Sequence, residues 1–573
     1  MFNHFYLQQL SNLRKKAAAF SRTHPSIAPL LRENSTDPDV ERLLEGTAFL
    51  SAILHEKIED DTPEFIRSLA ELLFPHILRP LPSSCILSFT PKVSLLDTIK
   101  VPSGITVASI PVDGTTCQFR TSMDVTILPL KVTKVKRIKS SETEDTIIVS
   151  LSLGGFSLSD WKSDSLTFYA GGDYTQAASF FMHLFTGLNR INLSAGSSSI
   201  TLARQHLSAP SFTDNSLLFT AGDQNYCRYS ILTEYFVLPE KFLFYTITGL
   251  GKLCTFGNGS DFELRFHLKT RKNSPEPTSD LFTLFAVPVV NIFHLEAEPI
   301  RVDHTQDQMP LVPSCSSREH YDIYTVQSVT GFTQGTVERR EYEPYNKFTQ
   351  IRDSSGFYQI HHSNSPVHNN HEVSISLSYD STEQFAEEVL SIDLLCTNAH
   401  LPSKLKTGDI CVPTLHSPEG AAFQNITAPT SQVDVLLEKN ELWRLLSHFS
   451  TNLLPVSNVE SLKELLRIYT FHNHRSDTTV LNNLRKIDAI DQYVVEPLEL
   501  IIKGILMRGM NIRISFNESN FANAGDAYLF FTVLEHFFSL YASINTFTRM
   551  ISHNVKTGEE IVWPPRIGEK SLI

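Results

Sequence analysis

The chain runs to 573 residues, 41% of them hydrophobic and 19% charged, with a formal net charge of −13 and a pI near 5.9. That length calls for several domains of about 100–200 residues each, and the composition is that of folded rather than disordered polypeptide. So acidic a chain gains nothing by approaching a phosphate backbone, which sets nucleic acid aside as a partner.

Seven cysteines, at 85, 117, 227, 254, 315, 396 and 411, form no Cys-x-x-Cys pair. An odd number spaced so widely matches neither a disulfide framework nor a structural zinc site, and suits a reducing cytoplasm. Residues Met1 to Leu10 lack the basic and apolar regions of a secretory signal. The most apolar run, Leu281 to Phe293, is shorter than the roughly 20 residues of a bilayer span, and Pro288 interrupts it. A cytoplasmic chain without direct membrane insertion is expected.

Residues 1–82 predict a helical region. Tyr6, Leu10, Leu13, Ala17 and Phe20 repeat at helical spacing. A second helix starts at Asp37-Pro38, an N-cap followed by a proline suited to the first turn, and carries Val40, Leu43, Leu44, Leu50, Ile53 and Leu54. A third starts at Thr62-Pro63 with Phe65, Leu69, Leu72 and Leu73, and the acids Glu59-Asp60-Asp61 before it favour the helix dipole. Pro75, Pro80 and Pro82 then end the pattern.

Residues 83–215 read as β-rich, with strands at Cys85 to Phe89, Ile99 to Val107, Cys117 to Arg120, Val125 to Leu130 and Ser165 to Tyr169. The basic stretch Lys131, Lys134, Lys136, Arg137 and Lys139 reads as a solvated strand or loop face. A helix holding Phe180, Phe181, Leu184 and Phe185 follows Gly171-Gly172. A second β-rich region spans 216–435, with strands at Lys241 to Ile247, Phe262 to Leu268, Tyr321 to Val326 and Val373 to Leu377.

Residues 436–573 mix both types. Ser457-x-x-Glu460 reads as a capping box opening a helix through Leu462, Leu465, Leu466 and Tyr469, and Met510 to Phe516 alternates as a strand. A helix from near Asp526 places Phe530, Leu534, Phe537, Tyr541 and Ile544 on one stripe, with Phe531, Val533, Phe538 and Leu540 filling much of the rest. A helix so apolar must be enclosed, either in its own core or by a second subunit. Trp563-Pro564-Pro565-Arg566 is a rigid extended element, either docked against a neighbour or free in solvent.

The motifs of catalysis are missing. Gly249-Leu250-Gly251-Lys252 has Thr246 in place of the first glycine of a phosphate loop and Leu253 in place of its hydroxyl. There is no Gly-x-Ser-x-Gly and no His-Glu-x-x-His. His361, His362, His368 and His371 lie among Asn, Ser and Pro in what reads as an exposed loop with no carboxylate-rich second shell, and His472 and His474 are weaker still. No catalytic residue, metal, cofactor or small-molecule substrate is therefore expected. The rival reading, a carbohydrate-active enzyme or glycan-binding protein, needs aromatic platforms, and an enzyme also needs two carboxylates about 5–10 Å apart. Three tryptophans offer little sugar stacking.

Several strings give the chain a family likeness. Asp37-Pro38-Asp39-Val40-Glu41-Arg42-Leu43-Leu44-Glu45, Leu73-Phe74-Pro75-His76-Ile77-Leu78-Arg79-Pro80-Leu81-Pro82-Ser83 and Phe119-Arg120-Thr121 come first. Glu234-Tyr235-Phe236, Pro239-Glu240-Lys241-Phe242, Pro288-Val289-Val290-Asn291-Ile292-Phe293 and Ser328-Val329-Thr330-Gly331 come next, then Leu540-Tyr541-Ala542-Ser543-Ile544-Asn545 and Trp563-Pro564-Pro565-Arg566. Together, and in this order, they resemble the TssF (VasA/ImpG) family of type VI secretion baseplate subunits, and the 83–215 region is similar to phage J-type baseplate proteins.

The resemblance implies an α+β multidomain, phage tail wedge-like fold with a helical N-terminal segment, β-rich central domains and a mixed α/β C-terminal domain. It implies a structural wedge component in the cytoplasm, at the inner face of the bacterial inner membrane. Its partners would be TssG, other TssF copies, TssK, TssE and the VgrG hub. A phage or phage-like tail wedge protein is the nearer alternative. On this reading the interface candidates are Tyr6, Leu10, Leu13, Val40, Leu43 and Leu50 in the N-terminal bundle. Phe530, Phe537, Tyr541, Trp563 and Arg566 are the candidates at the C-terminal end.

Overall fold

A computed structural model describes residues 6–7, 10–16, 42–43, 45–52 and most of 78–568. Within the last span it leaves out 140–142, 214–215, 220–229, 272–275, 334–338, 346–355, 365–370, 380–386, 435–457 and 472–477, and the single positions 94, 96, 156, 197, 304 and 503. The expected helix starts at Asp37-Pro38 and Thr62-Pro63, with Val40, His368, His472 and His474, lie outside the described residues.

Ser84–Pro91 shows how pattern becomes position. Its residues are buried on both faces except near its end, as befits a central strand. It pairs antiparallel with Ala286–Val290 on one side and Ala421–Asn425 on the other. Thr115–Thr121 and Thr106–Val112 complete this five-stranded sheet, which so gathers strands from three distant parts of the chain.

A second five-stranded sheet runs in the order 198–203, 188–195, 261–269, 144–153, 130–139. Strict alternation builds it: Phe262, Leu264, Phe266 and Leu268 are buried on one strand, and Ile147, Val149, Leu151 and Leu153 on its neighbour. Against it packs α1, Tyr174–Gly187, whose N-cap Asp173 accepts hydrogen bonds from the backbone N–H of Thr175 and Gln176. The short helix α2, Ser230–Val237, leads into a 3-10 turn at Pro239–Leu243 and the strand Phe244–Thr248.

An eight-stranded sheet formed between 293 and 397 carries its own apolar core, centred on Ile375, Leu390, Ile392, Leu394 and Cys396. Two buried asparagines join it to the first sheet. Asn291 Nδ2 donates to Asn398 Oδ1 at 2.8 Å and to Gln118 O at 2.7 Å, and Asn398 N donates back to Asn291 Oδ1 at 2.6 Å.

The C-terminal part begins with α3, Val459–Ile468, and α4, Thr478–Asp488. A long hairpin comes next, Ile490–Ile502 with Ile505–Phe516, turning at Gly504 with φ +83°. Ile505–Phe516 then runs parallel to Thr546–Asn554, and the helix α5, Ala524–Ser539, is the crossover that parallel pairing requires.

Several expected boundaries move, each for a local reason. Ile99 to Val107 is two strands, Ile99–Val101 and Thr106–Val112, because Gly104 at φ +88° turns the chain between them. The run 125–130 breaks after Ile127, so that Leu130 opens the next strand. Lys241 belongs to the 3-10 turn, not to a strand. The N-cap of α3 is Asn458, which accepts from Ser461 N at 2.8 Å, one residue beyond the expected Ser457. Three of the four clustered histidines lie in strands instead of an exposed loop: His361 and His362 in Gly356–Asn364, and His371 at the start of its partner, His371–Tyr379.

Candidate functional site

Where the C-terminal part meets the rest of the chain, Asp526, Lys486 and Tyr235 are buried together beside the half-buried Tyr174. Asp526, in the first turn of α5, accepts at Oδ1 from Lys486 Nζ at 2.6 Å and from Tyr174 Oη at 2.7 Å, and at Oδ2 from Ala522 N at 3.2 Å. Lys486 reaches Tyr235 Oη at 3.3 Å and sits 5.6 Å and 5.5 Å from the ring centroids of Tyr174 and Tyr235. Four helices are pinned by one lysine–aspartate pair: α1 through Tyr174, α2 through Tyr235, α4 through Lys486 and α5 through Asp526.

A second buried ion pair joins Glu234 and Lys241, and Glu234 also accepts from Leu218 N at 2.8 Å. Burial lowers the Lys241 pKa, and burial raises that of the neighbouring Glu240. Both phenols of the first cluster are pushed up, by burial first and then by the charges around them. Groups bonded to one another in this way tie their elements together as a structural joint. Among the described residues no group of three or more His, Cys, Asp and Glu is placed to hold a metal ion. His361 Nε2 is bonded to Ser376 Oγ at 2.8 Å.

The tail folds back onto its own chain. The Trp563 ring stacks on Tyr528 with centroids 5.7 Å apart, and Nε1 donates to Thr532 Oγ1 at 3.3 Å. Arg566 makes a two-pronged pair with Glu535 at 2.9 and 3.0 Å, and its guanidinium also lies 3.0 Å from His536 Nε2. The neighbour expected for this element is therefore α5 of the same molecule.

The residues proposed for interfaces divide sharply. Phe530 and Phe537 are 1% and 0% exposed, enclosed by the chain's own core, with Phe530 against Tyr235 at 5.8 Å. They are core residues, and the interface expectation for them is corrected. Tyr541 is half-buried, and lies beyond the end of α5 at Ser539 instead of on it. At the N-terminus, Leu10 is buried and Tyr6 and Leu13 are half-buried, whereas Leu43 and Leu50 stand 71% and 63% exposed. Two leucines seven residues apart on helical backbone share a face, and this one is open.

Sequence reasoning missed Tyr174, Lys486, Asp526 and Asn291. The one available signal was a charge at the start of an otherwise apolar helix, which Asp526 shares with any first-turn acid.

Comparison with known proteins fits this multi-sheet architecture. The family model for the type VI secretion system protein TssF matches residues 1–570. The type VI secretion system component TssF1 of Pseudomonas aeruginosa is 25% identical over an alignment of 629 positions, covering 99% of this chain and 98% of that one. Among solved structures, a chain of the TssK-TssF-TssG baseplate subcomplex, seen by cryo-electron microscopy, superposes with a TM-score of 0.78 at 27% identity, over 93% of this chain and 99% of that one. A chain of a type VI secretion baseplate complex superposes at 0.62 with 23% identity over the whole of both, which bears on fold alone. Architecture and comparisons thus define a component of a type VI secretion system. The chain belongs to the TssF family.

Proposed function

We propose that this chain is a structural, non-enzymatic subunit of a type VI secretion baseplate that assembles with TssG and TssK. Its finer role would be in a wedge that contains further copies of itself, touches TssE and surrounds the VgrG hub, at the inner face of the inner membrane. The observation that carries the reading is the open face of Leu43 and Leu50, in a chain whose solved relative stands in a TssK-TssF-TssG subcomplex. Exposed leucines on a helix gain most by burial against an apolar partner, at about 1.5–3 kcal/mol each. Tyr6, Leu10, Leu13 and Val40 would extend that bundle, and the Lys486–Asp526 joint would hold the platform rigid.

Co-expression with TssG followed by light scattering tests this. A defined hetero-complex is expected, and Leu43→Glu with Leu50→Glu should abolish it while leaving the secondary structure intact. A wild-type chain that stays monomeric in the presence of TssG, or a folded double variant that still binds, sinks the assignment.

A further inference from the structure

Leu130–Lys139 is the edge strand of the second sheet among the described residues, and it carries five cations and no anion in a chain of net charge −13. Its register with Glu144–Leu153 sets Lys131 opposite Ser152, Lys134 opposite Ser150 and Lys136 opposite Ile148. In a regular strand Lys131 and Lys134, three residues apart, would point to opposite faces. The bulge at Thr133 takes up one residue between them. All three lysines therefore stand on the face turned away from the core, and all three are exposed. Arg137 and Lys139 fall on the other face, where Arg137 pairs with the buried Asp145.

Within the described residues none of the three lysines makes an ion pair or a hydrogen bond. The side chains opposite them bring hydroxyls and one aliphatic group. Acids farther across the face are already paired, Glu263 with Arg265 at 2.8 Å and Glu144 with Arg190 at 3.6 Å. Asp261 lies two strands over from Lys131, about 10 Å away. At the far end of the row Ile138 is 48% exposed, diagonal to the half-buried Ile148. Lysines and a bulge also keep an open edge from pairing with stray strands, but a guard gains nothing by turning its lysines to one face.

The charge of the row fixes the sign of its partner, and the length fixes the size. Lys131 to Ile138 spans about 25 Å, the reach of about eight extended residues. A bilayer or a nucleic-acid duplex is far wider, and would press its negative charge against the rest of an acidic chain. A short segment feels chiefly the field within a Debye length, about 8–10 Å. We infer that the outer face of Leu130–Lys139 receives an extended acidic segment of another protein. Its carboxylates meet Lys131, Lys134 and Lys136, and an apolar side chain at one end covers Ile138 and Ile148. The inference goes beyond the proposed function and needs neither TssG nor a second copy, so its failure leaves the TssG experiment untouched.

The test is fluorescence anisotropy of the full chain with a labelled peptide of about eight residues, Glu at alternate positions and Leu at one end. The wild-type chain should bind it saturably, less tightly as salt rises. Lys131→Glu with Lys134→Glu and Lys136→Glu should weaken binding at least about tenfold. Lys100→Glu with Lys252→Glu and Lys406→Glu changes the net charge equally at exposed lysines elsewhere, and should bind as wild type. A peptide with Lys in place of Glu should bind the first variant and not the wild type, which also reports that this variant is folded. Replacing the peptide's Leu by Ser should weaken binding to the wild type severalfold. No saturable binding, or equal losses in the two triple variants, overturns the inference. So does tighter binding of phosphatidylglycerol vesicles or duplex DNA through the same three lysines, which would make the occupant a membrane or a nucleic acid.

Discussion

At the scale of the residue, charges buried without water must be matched atom for atom, as Lys486 and Asp526 match one another. Removing one member leaves the other stranded, so Asp526→Asn should lower unfolding free energy by about 3–5 kcal/mol. Replacing both, as Asp526→Leu with Lys486→Met, should cost less than the single change, and urea titration would read the difference. His536 gives a pH dependence. Burial, and then the Arg566 guanidinium, hold its pKa well below the usual value, so the folded protein keeps it neutral. The unfolded chain binds a proton there as pH falls through about 6.5, which draws the equilibrium toward unfolding. Stability should be level above that value and fall below it, with a limiting slope from this group of about 1.4 kcal/mol per pH unit. His536→Gln should remove that share of the slope, read as the difference between urea midpoints at neutral and mildly acid pH.

At the scale of the element, close approach matters more than side-chain chemistry. A Cβ on Gly525 would stand 2.3 Å from Ser179 N and 2.4 Å from the Ala178 carbonyl, so α5 meets the backbone of α1 directly. Gly525→Ala must push the two helices apart and should cost about 1–3 kcal/mol, visible as a lower thermal midpoint. Trp563→Ala, which strips the tail's anchor from Tyr528, should cost about 3–5 kcal/mol and make the C-terminus sensitive to limited proteolysis. Element types were legible where periodicity was sustained, as in Ser165–Tyr169, matched at both ends, or Asp261–Lys269, missed by one residue each side. Their ends were less so, since single residues decide them. α5 stops at Ser539 although the apolar stripe runs on, and the chain turns again at Asn545, whose φ of +68° an asparagine tolerates. The buried joint was barely legible, its one signal being the acid in the first turn of α5. Tyr174, Tyr235, Lys486 and Asp526 are scattered along the chain, and only folding shows that they share one lysine.

At the scale of the whole molecule, one apolar cluster joins residues from Cys85 to Trp563, while the eight-stranded sheet keeps a core of its own. α5 lies between α1, α2 and the 546–554 strand, so the C-terminal part is bonded into the centre, not tethered to it. A unit built this way should respond to load as one body, and calorimetry is expected to show the C-terminal part and the first two sheets melting together. A separate early transition that disappears on deleting residues 458–568 would contradict that.

The first sheet also sets a timetable for synthesis. Ser84 N bonds to Thr430 Oγ1 across 346 residues of sequence, and Ser84–Pro91 has no place to lie until both of its flanking strands exist. At roughly 5–20 residues per second, the ribosome keeps Ile86 and Leu87 waiting for roughly 20–70 seconds. A nascent chain so long incomplete is a natural client for holding chaperones, and release from the ribosome before residue 425 should yield fragments that aggregate.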